Sequence, residues 1–143
     1  VTQLRTNVSF QHPARFVSLT DDDRILAVDG AQWFIALLRH ISSLEIDPDL
    51  CQEDWGVVVR VQRNRAKFWI GLSAWESDGS WLAHFHHGSF VQRFSPSGTR
   101  ELKHLLAGVH QTLANDGAVS EIAWYEEAQM NSPEPKSFPV PLD

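Results

Sequence analysis

Apolar and polar positions alternate through residues 55–88, and this predicts three antiparallel strands. The stretch reads W-G-V-V-V-R-V-Q-R-N-R-A-K-F-W-I-G-L-S-A-W, then E-S-D-G-S, then W-L-A-H-F-H-H-G. Asp78-Gly79 is a two-residue hairpin signal, because a type I′ turn needs positive φ at both central positions. Centring the turn there pairs Trp75 with Leu82, Ser73 with His84 and Gly71 with His86. Arg63-Asn64 serves as the first turn and pairs Val61 with Ala66, Val59 with Phe68 and Val57 with Ile70. Side chains alternate between faces with period two. One face then carries Val57, Val59, Val61, Phe68, Ile70, Leu72, Ala74, Ala83 and Phe85, and is the predicted core face. The other carries Val58, Arg60, Lys67, Trp69, Gly71, Ser73, Trp75, Leu82, His84 and His86. In this register Arg60 and Lys67 stand opposite each other. Like charges there are destabilising, so either the register slips or an acidic group lies between them.

Around these strands the pattern predicts strands near residues 8–10, 15–19 and 25–28, with Asp21-Asp22-Asp23 as a polar turn. A helix is expected from Asp29 to about Ser43. Asp29 and Gln32 would form its capping box, and Val28 and Trp33 its hydrophobic staple. Residues 45–54, acidic and containing Pro48, read as a loop. A second helix is predicted over residues 99–115, with Leu102, Leu105, Leu106, Val109 and Leu113 as its apolar stripe and His104 on the solvated side. Asp116-Gly117 should end it, with Gly117 in the left-handed conformation. Residues 119–127 read as a last strand. Residues 1–128 thus form one α+β domain, and residues 129–143 a proline-rich tail that is extended, mobile or laid against a partner. The predicted architecture is a two-layer sandwich of two main helices on a mostly antiparallel sheet. Its element order is similar to a ferredoxin-like βαββαβ fold with an extra strand.

Composition narrows the functional classes. The chain has 143 residues, 43% hydrophobic and 21% charged, as a soluble globular domain does. Its formal charge of -6 argues against general nucleic-acid binding. A cluster of Arg60, Arg63, Arg65 and Lys67 is the one local exception, read as a charged hairpin tip. Cys51 is the single cysteine, which excludes an internal disulfide and suggests a reducing compartment. No apolar run approaches the ~20 residues that cross a bilayer, and no signal-peptide stretch is present, so a cytoplasmic location without a membrane partner is expected.

His84 and His86, two apart on one strand, point the same way and could both reach one zinc or iron ion. That metal site needs a third ligand, and none stands at a diagnostic spacing. Trp69, Trp75 and Leu82 form an apolar surface beside the histidines, and Trp and Arg are frequent binding hot spots. Catalysis has little support. Gly71-Leu72-Ser73-Ala74-Trp75 holds half of G-x-S-x-G inside a strand rather than at a strand-to-helix elbow, and Cys51 has no sequence-defined histidine partner. The leading expectation is a non-catalytic, inhibitor-type interaction domain. Its binding face is Trp69, Trp75, Leu82, His84, His86, Arg60 and Lys67, and its partner is another protein or a second copy of the chain. No cofactor is needed. The alternative is a metal-binding protein or metal-dependent enzyme that uses His84 and His86.

Overall fold

The computed structural model describes residues 4–12, 23–74 and 79–143, with residues 23–29 described by their backbone alone. The elements in chain order are β1 (Asn7–Gln11), α1 (Asp23–Leu38), β2 (Leu44–Ile46), β3 (Cys51–Glu53), β4 (Gly56–Arg63), β5 (Ala66–Ala74), β6 (Ser80–His87), α2 (Phe90–Arg93), α3 (Pro96–Asn115) and β7 (Ser120–Tyr125). Among the described residues the seven strands make one antiparallel sheet, in the order β2-β4-β5-β6-β1-β7, with β3 also paired to β4. The chain is therefore α+β. The predicted strand at residues 15–19 lies outside the described residues.

Both hairpins are slipped by two residues from the predicted register. In the first, Val57 faces Leu72, Val59 faces Ile70 and Val61 faces Phe68. The turn is Asn64-Arg65, with φ of 49° and 72°. These are the two positive values a type I′ turn requires, and Arg65 takes the second despite its Cβ. In the second hairpin Ser73 faces Leu82, Gly71 faces His84 and Trp69 faces His86. Trp75 and Asp78, and with them the tip, lie outside the described residues. An even slip leaves each described side chain of these strands on its predicted face. It also removes the Arg60–Lys67 clash: Arg60 now faces Trp69, Gln62 faces Lys67, and Arg60 pairs with Asp47 at 3.4 Å.

The core face meets the helices. Val57, Val59, Val61, Phe68, Ile70, Leu72, Trp81, Ala83 and Phe85 are buried with Phe34 and Leu38 of α1 and Leu102, Leu105, Leu106, Val109 and Leu113 of α3. Burial of such side chains is worth about 1.5–3 kcal/mol each and holds the two kinds of element together. Strand β1 adds Val8 and Phe10 to this core, and β7 adds Trp124, whose indole N–H donates to Nδ1 of His110 at 3.0 Å.

Several predicted boundaries change, and α1 ends at Leu38 rather than near Ser43. Residues 25–28 are helical, because α1 begins at Asp23; Asp29 and the Val28–Trp33 staple pair are therefore interior positions, not a cap. A four-residue apolar run does not distinguish strand from helix by period, and here the run simply continues a helix. The acidic loop holds the short strands β2 and β3, both paired to β4. Helix α3 starts a turn earlier than predicted, where Ser95 caps it by accepting from Gly98 N at 3.0 Å and Pro96 opens the first turn. Gly117 is not among the positive-φ residues, and the end of α3 is closed instead by the Asp116 N–H donating to Leu113 O.

The proline-rich tail lies along its own chain. Phe138 and Trp124 exchange backbone hydrogen bonds of 2.8 Å, so the tail extends the sheet beyond β7. Arg5 anchors its end: the guanidinium sits 3.6 Å over the Phe138 ring, donates to Val140 O at 3.3 Å and pairs with Asp143.

Candidate functional site

The outer face of β5 and β6 gathers four aromatic rings around one glycine. Gly71 stands opposite His84, and a Cβ there would lie 2.2 Å from the imidazole Cε1 and Nε2. The ring of His84 therefore lies over bare backbone, which only glycine leaves open. Trp69 stands opposite His86 and stacks on it at 4.1 Å and 16°. The same indole meets His84 edge-on at 5.9 Å. Trp55, from the turn between β3 and β4, packs on His84 at 5.2 Å and remains 47% exposed. Trp69, Leu82, His84 and His86 are all half-buried.

The two imidazoles hold each other. His84 Nδ1 and His86 Nε2 are 2.9 Å apart, so one ring donates and the other accepts, and the accepting ring must be neutral. Burial lowers the pKa of His84, and the neighbouring charge of His86 lowers it further, while Glu127 pulls it up. Burial likewise lowers His86, with Glu127 opposing and Arg93 reinforcing. Glu127 is fixed by Asn7, whose side-chain amide donates to it at 2.8 Å; Asn7 itself stands opposite His84 on β1. Ser9 and Tyr125 make a further buried contact at 3.3 Å.

The sequence-predicted residues are thus partly united. Trp69, His84 and His86 touch; Leu82 lies further along β6, opposite Ser9 and Ser73. Arg60, Lys67 and Trp69 border a separate hollow of about 440 Å³ with Glu45 and Asp47 at the β2 side. Trp75 lies outside the described residues. His87 falls on the opposite face, against the Phe68 ring at 5.3 Å, as the alternation predicts. The proposed metal pair spends one nitrogen of each ring on the other, and among the described residues no three His, Cys, Asp or Glu side chains converge as a ligand set. The predicted basic cluster is also divided. Arg60 is paired with Asp47. Arg63 is paired with the buried Glu101, which Asn64 also contacts, and Arg65 and Lys67 are in no ion pair among the described residues.

Sequence reading missed Trp55, Asn7 and Glu127. Trp55 precedes the strand pattern, and no spacing signals that its turn folds back over His84. Asn7 and Glu127 arrive from the two ends of the chain, because β1 is inserted between β6 and β7. Compared with known protein families, characterised proteins and solved structures, the chain has no match.

Proposed function

We propose that this is a non-catalytic interaction domain, a small acidic inhibitor-type protein, whose outer sheet face receives a protein partner. The observation that carries the reading is the ring assembly Trp55–His84–His86–Trp69, fixed on a sheet yet open to solvent at Trp55. Tryptophans held rigidly at a surface lose little entropy when a partner covers them, and truncating such anchors typically costs ~2 kcal/mol or more. A second copy of the chain is the first partner to test, since two-fold dimers are the commonest assemblies. The free, half-buried Cys51 fits a reducing compartment such as the cytoplasm. In topology the proposal is a two-layer ferredoxin-like variant, in which β4, with the short strands β2 and β3 paired to it, is added to the β7-β1-β6-β5 order.

Sedimentation of the wild type across a concentration series, beside Trp55→Ala, tests the reading. A monomer–dimer equilibrium in the wild type, shifted toward monomer in the variant, is the expected result. A concentration-independent monomer removes the self-association reading, and a dimer indifferent to Trp55→Ala moves the interface off this face.

A further inference from the structure

Helix α2 is built inside out. At about 100° per residue, Phe90, Val91 and Phe94 share one arc of this short turn, and Gln92 points to the opposite side. It is Gln92 that faces the protein. Its Oε1 accepts from Lys67 N at 3.0 Å, and its Nε2 donates to Arg65 O at 2.7 Å. The apolar residues face water: Phe90 is 76%, Val91 77% and Phe94 70% exposed, and no residue of α2 is buried. A helix that serves its own core shows the reverse arrangement. The turn is also held firmly. Ser95 Oγ donates to Gln92 O at 3.1 Å and accepts from Gly98 N, and a Cβ on Gly98 would lie 2.1 Å from Gln92 O. The close approach of α3 to α2 therefore depends on that glycine.

The surroundings of this tip are cationic. Residues 79–100 contain no Asp or Glu, in a chain whose net charge is -6. Arg93 belongs to the turn itself and lies over the Phe94 ring at 5.6 Å. Arg65 and Lys67 flank the backbone to which Gln92 is bonded, and Arg100 and Lys103 line one shallow depression with Phe94. None of these five cations is in an ion pair among the described residues, whereas the nearby Glu101 is taken by Arg63. Leu142 lines the same depression, and its neighbour Asp143 is taken by Arg5.

We infer that α2 is a peripheral membrane-contact tip, inserting Phe90, Val91 and Phe94 at the surface of an anionic bilayer while Arg65, Arg93, Arg100 and Lys103 meet the lipid headgroups. Protein partners that receive apolar anchors usually offer them a pocket, whereas a bilayer accepts protruding rings without one. Apolar insertion and headgroup attraction reinforce each other in surface-bound proteins. The sequence expectation of no membrane partner rested on the lack of a spanning run and of a signal-peptide stretch, neither of which bears on surface contact. Among the described residues no helix is long and apolar enough to cross a membrane, and surface contact needs none.

Co-sedimentation with vesicles tests the inference, using phosphatidylcholine alone and phosphatidylcholine with about a third phosphatidylserine, at low and physiological salt. The wild type is expected to pellet with the anionic vesicles and to stay free with the neutral ones. Phe90→Ser/Phe94→Ser should weaken binding about tenfold or more, and Arg93→Glu/Arg100→Glu by a similar factor. Trp69→Ala should bind as the wild type does, which keeps this surface distinct from the sheet face. Circular dichroism should show both double variants folded, since α2 buries nothing. Wild-type protein left in the supernatant with anionic vesicles overturns the inference, as does unchanged binding by Phe90→Ser/Phe94→Ser. Equal binding to neutral vesicles removes the cations from it. If vesicles are ignored and Phe90→Ser/Phe94→Ser instead abolishes self-association, the tip is a protein contact.

Discussion

The two faces of β5 and β6 are built by different means. On the core face Phe68, Ile70, Leu72, Ala83 and Phe85 are excluded from water, and apolar bulk is sufficient to specify them. On the outer face Trp69, His84 and His86 stay half-buried, and their arrangement depends on a single missing Cβ at Gly71 and one bond between two imidazoles. The contrast is between a face specified by volume and one specified by shape. The first should govern folding, and the second should be alterable with the fold intact.

Three substitutions or conditions probe this contrast, in falling order of effect. Phe68→Ala removes a fully buried ring and should cost about 3–5 kcal/mol in urea unfolding. A loss below that of an outer-face substitution would invert the assignment of faces. Gly71→Ala should cost less, about 1 kcal/mol, because the atoms it strikes belong to a side chain that can swing outward. Its signature is local: His84 leaves Trp55 and His86, which a change in tryptophan emission or in the imidazole NMR signals would register. Unchanged spectra would mean that His84 does not lie over Gly71.

The mildest probe is pH. Burial is the leading cause that lowers His84, His86, His87 and His110 below the ordinary histidine value of about 6.5. The unfolded chain therefore binds more protons than the folded one between the lowered values and about 6.5. Stability should rise with pH across that window and flatten above it. Protonating both rings also abolishes the His84–His86 bond, since neither nitrogen could then accept. Urea midpoints at pH 5.5 and 7.5 would check this, with the lower midpoint expected in acid; equal midpoints would place the imidazoles in water. Glu101 acts in a separate, lower window. Burial would raise its pKa, but the hydrogen bonds from Arg63 and Asn64, with Arg63's charge, hold it below the usual carboxylate range.

Period two explains why so much was legible from sequence. Both registers were off by two residues, yet each described side chain of these strands kept its face, so Trp69, His84 and His86 fall together on one face as expected. In the first hairpin the slip arises at Arg65, whose positive φ no propensity for arginine would suggest. The start of α1 was misread because four apolar residues carry no period of their own. Asn7 and Glu127 were invisible for a different reason. The pairing of β1 with both β6 and β7 is set by the whole core, including Val8, Phe10 and Trp124, rather than by any local spacing. The tip at α2 was missed because a four-residue helix with its apolar side outward has neither strand nor helix periodicity to reveal it.

The central claim is that the ring-bearing face binds while the opposite face folds, and Trp69→Ala separates the two most directly. Sedimentation equilibrium and urea unfolding on the same preparation would measure both consequences. Association should weaken by ~2 kcal/mol or more, about 30-fold, while the urea midpoint falls by less than in Phe68→Ala. Unchanged association with a collapse in stability comparable to that of Phe68→Ala would contradict the claim, and would make Trp69 one more residue of the core.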